Sequence, residues 1–164
     1  MIVEFVKRRE QPFARCHLDA HLTASAFIVD PTGGRVLLGH HRKLARWLQL
    51  GGHGEEGDSS AGDVALREAC EESGMDGFLF HPLAPRPFDV DVHSIPLRPG
   101  VPGHDHLDLR YLLVAPAGSD PRRRDNEHLE VRWFPWDEAL AVAGDAAFVR
   151  AMLKARLLCA PASA

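Results

Sequence analysis

The sequence predicts an α/β fold of the α+β type, one domain with a mixed sheet flanked by helices. Three observations carry this expectation. Apolar runs of strand length, among them LTASAFIVD, RVLLGHH and LEVRWFP, are bounded by turn residues. Residues 60–73 and 145–158 place apolar side chains at helical spacing behind capping signals. The strands follow one another mostly through hairpins or loops, so the helices must pack outside the sheet.

The elements are justified in order. Ile2, Phe5 and Val6 stand at helical spacing, so the first segment reads as a short helix. REQPFARCHLDAH then separates it from the body, making residues 1–20 an N-terminal extension. LTASAFIVD reads as a buried strand, PTGG as its turn and RVLLGHH as the returning strand. WLQLGG reads as a short strand running into a glycine turn. Residues 60–73 form a helix, with Ser59 or Ser60 as its cap and Gly74 as the left-handed residue that stops it. GFLFHP, FDVDVHSI, LDLRYLLVA and LEVRWFP follow as strands, and PLRPGVPGHDH and PAGSDPRRRDNEH as loops. WDEALAVA and DAAFVRAMLKARLL close the chain as helices. Asp145 caps the last, and Phe148, Val149, Met152 and Leu153 form its apolar stripe. Residues 160–164 are expected to fray.

The composition excludes several classes. The formal net charge of -4 argues against a nucleic-acid polymer as partner, because such a binder presents a basic face. No apolar run approaches bilayer length, and MIVEFVKRRE lacks the features of a signal peptide. Cys16, Cys70 and Cys159 are odd in number and widely spaced, which fits a reducing, cytoplasmic setting.

Residues 51–75 hold seven carboxylates: Glu55, Glu56, Asp58, Asp63, Glu68, Glu71 and Glu72. At about 100° per residue, Glu68, Glu71 and Glu72 point to one side of the helix. Leu66, Ala69, Cys70 and Gly62 point roughly to the other. A merely solvated acidic face usually mixes in lysines, and this one has none. Arg67 is the nearby base; it can pair with Glu71 or reach back toward Asp58. Cys70 faces away from the acids and reads as a small core residue.

This stretch resembles the Nudix box, G-x5-E-x7-R-E-U-x-E-E-x-G-U, where U is a bulky apolar residue. Gly52 matches its leading glycine, and Arg67, Glu68, Glu71, Glu72, Gly74 and Met75 match its second half in register. The flanks RVLLGHHRKLARWLQLGGH and EVRWFPWDEAL extend the resemblance over most of residues 22–140. There are departures. Asp58 replaces the first glutamate, and eight residues, not seven, separate it from Arg67. Leu50 precedes the glycine pair where proline is frequent, and Ala69 occupies a bulky position. The insertion falls where an Asp58–Arg67 salt link would form.

The resemblance implies a Nudix-like α/β/α sandwich and hydrolysis of a nucleoside diphosphate linked to a further group. It implies Glu68, Glu71, Glu72 and the Gly52 carbonyl as metal ligands. Carboxylates suit Mg²⁺ or Mn²⁺, and Mg²⁺ commonly bridges them to phosphate oxygens. The base that takes the water's proton is Glu71 or Glu72, or, from a later loop, Glu127 or Glu130. A small diphosphate is the implied partner, and homodimers are common among such enzymes. An isopentenyl-diphosphate isomerase-like enzyme is the alternative within the fold, but it looks for a reactive cysteine and a soft-metal histidine set, and Cys70 is misplaced. A nucleotide-sensing domain with a worn box is the non-enzymatic alternative.

Other residues invite a role. Arg42, Lys43 and Arg46 form a basic cluster beside the glycines, either gripping phosphate or forming an exposed hairpin end. His104, His106, Asp108 and Arg110 fall at period two on one side of a strand. His-x-His can ligate zinc, but no third soft ligand is legible. The row is therefore expected to line the substrate pocket, with His106 and Arg110 in contact with substrate, or to form a polar row at a strand end. Trp47 reads as core, and His53, inside the glycine loop, as a surface residue or else a substrate contact.

Overall fold

The structure, a computed structural model, describes residues 2–9, 12–14, 17–122 and 127–160. Cys16, part of the PAGSDPRRRDNEH loop and residues 161–164 lie outside the described residues. Among the described residues eight strands form one mixed sheet: β1 (Ala20–Val29), β2 (Arg35–His41), β3 (Arg46–Leu48), β4 (Leu50–His53), β5 (Leu79–Phe80), β6 (Asp89–Ile95), β7 (His104–Val114) and β8 (His128–Pro135). Among the same residues they are accompanied by the helices α1 (Ile2–Arg8), α2 (Ala61–Ser73), α3 (Trp136–Ala141) and α4 (Ala146–Cys159). Among the described residues no helix is long and apolar enough to cross a membrane.

The centre of the sheet is a parallel seam. β1 runs beside β7 from Ala20↔Asp105 to Val29↔Val114, while the other pairings are antiparallel. β1 is buried on both faces from His21 onward, which explains why LTASAFIVD is a continuous run and does not alternate. On one face Ala24, Ala26 and Ile28 pack with Val64, Ala65 and Ala69 of α2. On the other, Phe27 and Val29 pack with Phe148, Ala151, Met152 and Ala155 of α4. The apolar stripe of α4 is thus rotated from the expected one: Val149 is half-buried and Leu153 exposed. Alanines let the helix lie close to the sheet, and this rotation sets Arg150 and Lys154 over Asp89, to which both donate.

WLQLGG differs from its expected form. It is two strands: β3 pairs with β2 and β4 pairs with β1, so Gly51 and Gly52 lie in the ladder opposite Ser25 and Ala24. The absence of a side chain at Gly51 is required there. Its φ is +149°, and a Cβ would fall 2.5 Å from the Ser25 Cα. β7 also starts earlier than expected, taking in His104 and His106. The ends of α2 match expectation: Ser60 accepts from the Asp63 N–H, and Gly74 is left-handed.

Candidate active site

α4 covers only part of its sheet face. Beyond it the sheet surface turns polar: His21, Thr23 and Ser25 on β1 share that face with Phe27 and Val29 by strand alternation. Here a cleft of about 720 Å³ opens, a volume suited to a small organic ligand. Gly51, Gly52, Glu72, Asp108, Glu127 and His128 are among its lining residues.

The box helix reaches the cleft beside β4. Glu72, 4 % exposed, accepts from the Gly51 N–H through Oε2 at 2.8 Å. His128, also buried, lies with Nδ1 3.7 Å from Glu72 Oε1. Glycine at position 39 gives the His128 ring its place, because a Cβ there would collide with the imidazole. Glu68 abuts Gly52 closely enough that a Cβ at 52 would run into its carboxylate. Glu71 is exposed and stands 3.1 Å from the Arg67 Nη1.

Arg67 ties the box together. It donates to the His53 carbonyl at 2.7 Å, to Asp58 at 3.0 Å and to Glu71, and its Nη1 lies 3.2 Å from Glu68 Oε1. The Asp58 link therefore forms despite the extra residue in the loop. Burial works against the Arg67 charge, but Asp58 and Glu68 more than offset it and raise its pKa. The Arg67 hydrogen bond holds the Asp58 carboxyl below its ordinary range. Glu68 moves the other way. Burial raises its pKa, Arg67 opposes, and Glu71 and Glu127 add like-charge repulsion.

A buried carboxylate such as Glu68, its pKa raised and other acids beside it, is a donor that a divalent cation stabilises, and carboxylate oxygens fit Mg²⁺ or Mn²⁺. The Gly52 position offers a second fit, since only glycine leaves Glu68 its place against β4. Gly52→Ala is accordingly expected to fold, because the displaced atoms are the far end of a flexible side chain. It should weaken Mn²⁺ binding about tenfold, as does disturbance of a ligand's supports elsewhere. Titration calorimetry with Mn²⁺ checks this, and unchanged affinity would contradict the placement of Glu68.

The other expected residues divide. His106 lines the cleft. Arg110 does not. It is 4 % exposed and bound by Asp89, Asp91, Asp108 and the Ala147 carbonyl, so its charge is consumed in joining β6 and β7 to α4. Lys43 reaches the cleft, whereas Arg42 and Arg46 are exposed outside its lining, Arg46 beside Gly144. Glu127 lines the cleft, and Glu130 faces Arg132 at 3.6 Å outside it. Trp47 packs edge-on against Phe134. Cys70 is half-buried against the core, and neither it nor Cys159 lines the cleft.

Sequence reasoning missed His128 and His21. A glycine inside the strand RVLLGHH is the signal that something approaches closely there. His21 sits at the start of a strand with no motif to mark it. It is 3 % exposed and directly opposite His106 in the β1–β7 register. His53, His93 and His104 gather around the same point. Burial, then the neighbouring imidazoles, push His106 down to about 3.

A sequence profile for the NUDIX domain matches residues 19–155. No curated protein matches the chain. Among solved structures, a NUDIX-family hydrolase from Clostridium perfringens superposes with a TM-score of 0.62 at 24 % identity, covering 84 % of this chain and 97 % of that one. An Ap4A hydrolase of C. elegans, in a binary complex, gives 0.62 at 17 % identity over 81 % of this chain and 93 % of that one. The NUDIX domain of Shewanella oneidensis NrtR, complexed with ADP ribose, gives 0.61 at 15 % identity over 96 % and 97 %. At these identities the shared property is the fold, a mixed sheet with flanking helices.

Proposed function

The chain belongs to the NUDIX domain family, and on that footing we propose that it is a divalent-metal-dependent pyrophosphohydrolase. Its substrate is a nucleoside diphosphate linked to a further group, or a similar small diphosphate. The observation that carries this reading is the arrangement of Glu68, Glu71 and Glu72 around Arg67 and Gly52 at the edge of the cleft.

Glu68, Glu71, Glu72 and the Gly52 carbonyl would hold Mg²⁺ or Mn²⁺. When bound, the ion supplies charge neutralisation on the phosphate oxygens. Glu72, oriented by the Gly51 N–H, takes the proton of the attacking water. Lys43, which lines the cleft, binds a phosphate of the substrate. Arg67 is a positioning residue: through Asp58, the His53 carbonyl and Glu71 it fixes loop, strand and helix in one geometry. The isomerase alternative needs a cysteine at the cleft, and among the described residues none lines it.

A diphosphate panel with Mg²⁺ and with Mn²⁺ tests the proposal, products being identified by mass. The panel includes ADP-ribose, a diadenosine polyphosphate and dihydroneopterin triphosphate, because neighbours of this fold are named for, or complexed with, such compounds. Release of a nucleoside monophosphate or inorganic diphosphate is expected from at least one compound. Tight binding without turnover across the panel would favour a sensor instead.

A further inference from the structure

We propose that His21, His104 and His106 form a second metal site in the cleft, one for a divalent transition ion of the Zn²⁺ class. It is separate from the carboxylate set and stands whether or not the hydrolase reading holds. One ring nitrogen from each of the three lies within 4.8 Å of the others. They come from adjacent strands: His21 and His106 are register partners, and His104 shares the His106 face two residues earlier.

The hydrogen bonds assign the ring nitrogens. A carbonyl only accepts, so His104 Nδ1 carries the proton it gives to Pro102 O at 2.8 Å. The lone pair of neutral His104 is thereby on Nε2, which points at His106 Nε2, 3.3 Å away. A backbone carbonyl fixing the tautomer of the outer nitrogen is the usual support of a metal-bound imidazole. His53 Nε2 approaches the same His106 nitrogen, also at 3.3 Å. One proton on that nitrogen can point at one of these neighbours, not at both.

The spacing suits an ion. Two nitrogens bound at about 2.0–2.1 Å on a tetrahedral centre lie about 3.3–3.4 Å apart. The His104 and His106 Nε2 atoms already stand 3.3 Å apart, and a nitrogen of His21 lies within 4.8 Å of both ligand atoms. Imidazole ligands select Zn²⁺ and its neighbours over Mg²⁺, so the two sites sort their ions by chemistry. All three histidines line the cleft beside His53, so a fourth ligand, water or an anionic oxygen, would come from the cleft.

The test uses the full chain without a polyhistidine tag, stripped with chelator and titrated with Zn²⁺ alone against a chromophoric competitor. Co²⁺ is the second probe, read by its visible absorption in a tetrahedral nitrogen site. One equivalent is expected to bind in excess Mg²⁺ and in Glu71→Gln, with His104→Ala and His106→Ala each weakening it at least about tenfold. His21 is buried, so His104→Ala, at the half-buried edge, carries the test if His21→Ala does not fold. Absence of stoichiometric binding, or binding indifferent to both His104→Ala and His106→Ala, or binding lost in Glu71→Gln, overturns the site.

Discussion

Glu72→Gln should hydrolyse a diphosphate substrate on the order of 10³-fold more slowly than the parent chain, yet melt close to it. The two halves of this prediction have different causes. Glutamine keeps the length of the side chain and an oxygen that accepts from Gly51 N–H, so the junction of α2 with β4 survives. It loses the negative charge and the basicity, which are what a ligand to Mg²⁺ and a proton acceptor need. Steady-state rates beside a thermal melt separate the two. A rate within about tenfold of the parent would remove Glu72 from the chemistry and leave Glu127, a second glutamate lining the cleft, as the base. Glu130→Gln, altering a residue turned toward Arg132, should leave the rate unchanged.

Arg110→Met should lower stability by about 3 kcal/mol, since removing one partner of a buried ionic cluster strands the others. For a chain of this size that is a fall in Tm of roughly 6–12 °C. Asp108 is the residue most exposed to the loss. It is 3 % accessible and among the described residues would keep the Thr23 and Ser25 hydroxyls as donors. Asp89 retains Arg150 and Lys154. Adding Asp108→Asn should therefore return at least about 1 kcal/mol, because the amide oxygen still accepts from Ser25 and no charge is left behind. A Tm within about 2 °C of the parent for Arg110→Met alone would show that the cluster contributes little. The same node responds to acid. Burial alone would raise the Asp89 carboxyl, but Arg150 and Lys154 hold it below its ordinary value. Its contribution is complete above about pH 4 and is lost as pH falls below that.

The fold was largely legible because its signals are local. Period, β-branching and caps place β1, β2, α2 and the closing helices nearly where they lie. The acidic face of α2 was legible for the same reason, since three glutamates at i, i+3 and i+4 need only helical geometry to converge. What was not legible depends on residues far apart in sequence meeting across the sheet. Arg110 looked like a substrate contact because nothing local shows Asp89, Asp91 and Ala147 closing over it. A third ligand for His-x-His was missing because His21 joins it only through the parallel seam. The glycines of WLQLGG were read as a turn, although a ladder position crowded by Ser25 also demands glycine.

That seam also sets how the chain comes together in time. Thr23 and Asp108, which face each other across it, are 85 positions apart, and closing so long a loop costs roughly 4 kcal/mol of entropy before any contact rewards it. A chain emerging from the ribosome can zip the β1–β2 hairpin and wind α2 early, but the floor of the reaction chamber must wait for residue 114. Refolding from denaturant should accordingly run in milliseconds to seconds, not microseconds, with catalytic competence arriving in its last phase.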